Sequence, residues 1–60
     1  MITNNNKSEL VKWVNDRNQL EYGFLVSIEG NTATVSREDD NVVLTMNVQD
    51  VHPWNAYVNY

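Results

Sequence analysis

Leu20-Glu21-Tyr22-Gly23-Phe24-Leu25-Val26-Ser27-Ile28-Glu29-Gly30-Asn31-Thr32-Ala33-Thr34-Val35 is the stretch that decides the fold. Leu20, Tyr22, Phe24, Val26 and Ile28 share one parity, while Glu21, Gly23, Ser27 and Glu29 share the other and only Leu25 departs. A period of two is the mark of a strand with one buried face, so the first set is expected to point into the core. Gly30-Asn31 reads as a two-residue hairpin loop with positive φ at its first position. It sets Ile28 opposite Ala33, Val26 opposite Val35 and Ser27 opposite Thr34. Each of these pairs agrees in polarity. A slip by one residue would place Val26 against a threonine or a serine, so turn and pattern together predict one register.

Downstream, the second strand is expected over 32–37, ending in the all-polar connection Arg37-Glu38-Asp39-Asp40-Asn41. Three adjacent acids cannot be buried without partners, which makes this a surface loop. Val42, Leu44, Met46 and Val48 alternate with polar residues and predict a third strand antiparallel to the second. Asp50-Val51-His52-Pro53 breaks the alternation; because Pro53 cannot donate to a ladder, it reads as a tight turn or one turn of 3₁₀ helix. The segment 55–60 then has the length of an edge strand. Upstream, 1–6 reads as a tail. Asn6 and Glu9 have capping-box spacing, with Ser8 as a competing cap, and Leu10, Trp13 and Val14 recur at i, i+3, i+4. These predict a helix over 7–17, left through a left-handed Asn18.

The meander, the turn and a short last strand resemble an SH3-like small barrel. Pro53-Trp54-Asn55-Ala56-Tyr57-Val58 is similar to the P-x-N-Y-V ending of SH3 domains with one extra residue, and Val48-x-x-Val51-x-Pro53 is similar to the ends of Tudor-like barrels. The resemblance covers roughly 20–60. The A-L-Y-D-Y opening and the paired tryptophans after the acidic loop are absent, so polyproline binding is not implied. A helix followed by bent strands is also similar to Sm-like proteins, whose rings bind RNA, although the basic residues such a ring needs are scarce here. The expected fold is therefore mainly β: an N-terminal α-helix plus a small antiparallel SH3-like barrel or meander of four to five strands, in a single domain over 1–60.

Sixty residues leave room for one core. Apolar runs such as Phe24-Leu25-Val26 and Val42-Val43-Leu44 fall far short of the ~20 residues that cross a bilayer, so neither a membrane span nor a signal peptide is expected. The absence of cysteine excludes disulfides and thiolate metal sites and fits a reducing, cytoplasmic setting. Eight acids against four bases give a net charge of −4, which repels a phosphate backbone. His52 is the only histidine and has neither the further ligands of a metal site nor a nucleophile. Glu38, Asp39 and Asp40 lack the alternating oxygens and central glycine of a calcium loop. No Gly-rich phosphate loop, G-x-S-x-G or H-E-x-x-H occurs. No enzymatic activity, cofactor or metal is expected.

Six residues are aromatic. Phe24 and Trp13 are expected in the core, whereas Trp54, Tyr57 and Tyr60 follow the proline and offer exposed, rigid contact area of the type that dominates interfaces. The expected function is a small acidic protein-interaction module, with Trp54, Tyr57 and Tyr60 as anchors. Glu38, Asp39 and Asp40 would steer a basic partner. If that partner is a nucleic-acid-binding host protein, the acids imitate phosphates. Short chains rich in Asn and Tyr are often accessory proteins of phages or mobile elements, which act by occupying a host protein's surface. Two alternatives are a single-stranded nucleic-acid binder that stacks bases on the exposed rings, against which the charge argues, and a self-assembling homo-oligomer.

Overall fold

Gly30 takes the left-handed conformation its loop demands, φ +57°, in the computed structural model of the chain, which describes residues 2–56. Around it, β2 (Leu20–Glu29) and β3 (Thr32–Arg37) form the expected hairpin, with Ile28 opposite Ala33 and Ser27 opposite Thr34. The register then shifts. Leu25, not Val26, faces Val35, and Val26 is the extra residue of a β-bulge between Leu25 and Ser27. One inserted residue exchanges the faces of everything beyond it. Ahead of the bulge, Leu25 is therefore the core residue at 1% exposure, and Leu20, Phe24 and Val26, expected inside, are exposed.

Gly23 explains why the exchange is enforced. A Cβ at Gly23 would lie 2.3 Å from the Ser36 carbonyl oxygen and 2.8 Å from Cη2 of Trp13. Only glycine lets the indole lie across β2 at this point. A straight ten-residue strand would run about 30 Å, longer than any principal dimension of the molecule (25 × 25 × 18 Å), and the bulge is where β2 can bend. Its first half pairs with one neighbour and its second half with another.

That first neighbour corrects the expected helix over 7–17. Residues Leu10–Val14 are a strand, β1, antiparallel to β2 with Val11 opposite Gly23 and Trp13 opposite Glu21. Leu10, Trp13 and Val14 fit a helical stripe, but Val11 and Trp13 also alternate with Leu10, Lys12 and Val14. A helix of three turns is marginal alone, and valine and tryptophan fit a half-buried pleat. Strand pairing buries Val11 and Trp13 completely or nearly so, at 0% and 2% exposure. The capping box exists, but upstream: Thr3 caps a 3₁₀ turn at Asn4–Asn6, exchanging bonds with Asn6. Asn6 does reach Glu9, with Nδ2 donating to Oε2 at 3.1 Å. Ser8, at φ +68°, turns the chain into β1. Ile2, in the expected tail, is buried in the core.

Asn18 is left-handed as expected (φ +61°), but inside the β1–β2 loop rather than at a helix end. Asn15 organises that loop, its Oδ1 accepting from the Arg17 and Gln19 N–H groups at 2.8 and 3.0 Å. β4 (Val43–Asn47) lies antiparallel to β3, as the alternation predicts. The second 3₁₀ turn comes two residues earlier than expected, at Val48–Asp50, anchored by the Val48 N–H on the Asn31 carbonyl at 2.8 Å. His52–Pro53 forms β5, paired with β1, where an edge position tolerates proline's missing N–H. Of the edge strand expected over 55–60, residues 55 and 56 lie in the turn after β5, and 57–60 fall outside the described residues.

The architecture is mainly β, one open antiparallel sheet in the order β4-β3-β2-β1-β5. Among the described residues there is no α-helix, and so none long and apolar enough to cross a membrane. Ile2, Val11, Trp13, Leu25, Ala33, Val35, Val48 and Val51 form the core, flanked by Ile28, Leu44 and Met46.

Candidate functional site

The parity exchange in β2 creates the outer surface. Since Val11 and Trp13 point inward, Leu10, Lys12 and Val14 point outward, and the register carries that face across the sheet: Leu10 opposite Phe24, Phe24 opposite Ser36, Ser36 opposite Val43. The Trp54 N–H donates to the Leu10 carbonyl at 3.2 Å, one place beyond the Val11–Pro53 pair, which puts Trp54 at the other end of the same row. Strands about 4.8 Å apart bring such neighbours into side-chain contact distance. Phe24 is 45% exposed, Trp54 55% and Val43 62%, with Leu20 and Val26 also open to solvent. Trp54, Leu10 and Phe24 stand side by side, Val43 lies beyond the small Ser36, and Tyr22 sits in the adjacent row opposite Lys12. A cluster of large apolar side chains on one face marks an interaction surface, where single scattered ones would not.

The inner side opens differently. A groove of about 610 Å³ lies between the β1–β2 loop and β4, with Trp13, Glu21 and Arg37 among its lining, Asn15–Gln19 contributing Asp16 and Arg17, and Leu44, Thr45, Met46 and Asp50 on the other side. Polar groups run in series here. The Trp13 Nε1–H donates to Glu21 Oε1 at 3.1 Å, and Arg37 Nη1 lies 3.6 Å from Glu21 Oε2. The same guanidinium grips Asp40 through two parallel bonds, Nε–Oδ1 at 2.9 Å and Nη2–Oδ2 at 2.7 Å. The Arg37 bonds, followed by the Val42 N–H, hold the Asp40 carboxyl below its ordinary 3.8, at about 2. Asp40 is thus committed to shaping its loop, which Asn41 closes in a left-handed conformation (φ +60°).

Of the residues singled out from sequence, Trp54 is exposed. Tyr57 and Tyr60 lie outside the described residues. Glu38, Asp39 and Asp40 are exposed in the β3–β4 loop, where the Glu38 N–H donates to the Tyr22 carbonyl at 3.0 Å. That places the acids at the end of β3, two strands away from the β5 edge that carries Trp54, so anchor and acids are not brought together. His52 is half-buried in β5 opposite Lys12. Phe24, Leu20, Val26 and Val43 were not expected at the surface site. The signal that could have found the first three is Gly23, since a glycine inside a strand marks a bulge or a close approach. Comparison with protein-family models, with curated proteins and with solved structures finds no match to this chain.

Proposed function

We propose that the chain is a small acidic protein-interaction module that docks through the outer row of Trp54, Leu10 and Phe24. The observation that carries this reading is the exposure of Phe24 and Trp54 on one face of the sheet, either side of Leu10. Aromatic anchors beside aliphatic neighbours are the usual energetic centre of an interface. The exposed Glu38 and Asp39 favour a basic partner approaching from the β3–β4 end. Such a partner includes a nucleic-acid-binding host protein, in keeping with a phage or mobile-element accessory protein. A meander, then a 3₁₀ turn, then a short strand returning to β1 supports an SH3-like barrel as the fold of this module. Direct nucleic-acid binding is supported less well. Of the four basic residues, Arg37 is held by Asp40, and the Lys12 ammonium donates to the Ala56 carbonyl.

The test is affinity capture from a lysate of the source, or of its host, with the wild type and with Phe24→Ala/Trp54→Ala. The double variant should lose the captured protein while keeping the wild-type near-ultraviolet circular dichroism. Undiminished capture by the folded double variant removes the outer row from the site, and salt-sensitive binding of short oligonucleotides would favour the nucleic-acid reading.

A further inference from the structure

The free edge of β4 carries a second site, distinct from the outer row. The Arg37 N–H donates to the Val42 carbonyl and the Val48 N–H to the Asn31 carbonyl, both at 2.8 Å. Val42 and Val48 share one parity, and an antiparallel pair alternates between bonded and unbonded partners. Leu44 and Met46 therefore bond to Val35 and Ala33, which leaves the backbone N–H and C=O groups of Val43 and Thr45 aimed away from β3. Nothing in the sheet covers them, because β4 is the last strand in the order. The usual protections of an edge are missing: Val43-Leu44-Thr45-Met46-Asn47 has no charge and no proline, and its register with β3 is free of bulges.

We infer that this edge accepts an extended polypeptide strand with basic residues at its ends, which adds to the sheet beside β4. The groove described above runs along the same strand, lined by Leu44, Thr45 and Met46, with Asp16 across it and Asp50 at its end. Glu38 and Asp39 stand exposed past the other end of β4. Arg37 does not offset them, being held by Asp40 and Glu21, and Arg17 is the one opposing cation in the facing loop. A second copy fits poorly. Antiparallel β4–β4 pairing would bring Glu38 and Asp39 of each copy toward Asp50 of the other, between chains of net charge −4. Lysine or arginine on the incoming strand turns the same carboxylates into partners.

The probe is a short capped peptide in which valine alternates with threonine between lysine ends, added to the whole chain and followed by amide hydrogen exchange and NMR. In the free protein the Val43 and Thr45 amides should exchange freely. With peptide they should slow by about tenfold or more, and a glutamate-ended peptide should bind roughly tenfold more weakly at low salt. Thr45→Pro removes an outward N–H without touching a β3–β4 bond and should abolish binding, whereas Phe24→Ala/Trp54→Ala should leave it intact. The inference is overturned by an absence of protection at Val43 and Thr45 under excess peptide, or by shifts confined to Leu10, Phe24 and Trp54. It is equally overturned if protection appears without peptide and grows with protein concentration, since the occupant is then a second copy. The exchange readout on the wild type stands whether or not the proline variant folds.

Discussion

The two halves of β2 follow opposite rules. From Ser27 to Glu29 the strand obeys its turn: Gly30 fixes the conformation, the register follows, and Ile28 meets Ala33 on the inner face. From Leu20 to Leu25 it obeys a distant neighbour, because Trp13 needs the space above Gly23, and the inner set becomes Glu21, Gly23 and Leu25. Val26 absorbs the mismatch. Alternation in a sequence thus reports which residues share a face, while the choice of buried face is settled by packing between strands.

The strongest way to break this comparison is a matched pair of truncations at adjacent positions. Leu25→Ala should cost about 2–5 kcal/mol, enough to unfold much of a chain whose total stability is about 3–9 kcal/mol by length. Phe24→Ala should change stability by roughly 0.5 kcal/mol or less, as at other surface positions. Urea denaturation of both variants decides it; a larger loss at Phe24 would return that ring to the core and restore uninterrupted alternation.

Deleting Val26 probes the junction itself. Without it, Leu25, Ser27 and Ile28 alternate regularly, and the pairs with Val35, Thr34 and Ala33 survive. The deletion should therefore keep the fold, visible in conserved cross-strand contacts by NMR, at a cost of about 1 kcal/mol for the lost bend. Collapse of the fold would mean that the bulge is required for closing the core.

The smallest effect belongs to the β3–β4 loop. Asp40 has a lower pKa folded than unfolded, so it adds stability above its ordinary 3.8 that is lost as pH falls through about 2. Both partners are solvent-exposed, which keeps the effect small. Between about pH 4 and pH 2, Asp40→Asn should show a shallower fall in stability than the wild type, measured as melting temperature against pH. Parallel curves would mean that the Arg37 bonds do not persist in solution.

The legible parts of the sequence were those governed by local chemistry. Gly30-Asn31 announced its turn, the 32–37 strand ended where the charges begin, and the alternation from Val42 to Val48 located β4. The residues 10–14 were ambiguous because Leu-Val-Lys-Trp-Val satisfies a helical stripe and a pleat alike; the partner that decides between them, β2, lies ten residues further on in the register Leu10–Val14 against Leu20–Phe24. Trp54 could be read as exposed because the alternation stops at Pro53. Phe24 could not, since its outward position follows from a bulge whose only trace is a glycine placed among polar neighbours.

The two tryptophans now sit in opposite surroundings, Trp13 at 2% exposure against Gly23 and Trp54 at 55% on the outer face. The molecule therefore carries two intrinsic fluorophores of separate duty. Acrylamide should quench the red-emitting indole of Trp54 and spare the blue-emitting one of Trp13, so that one emission band follows unfolding and the other follows the arrival of a ligand, with no dye attached.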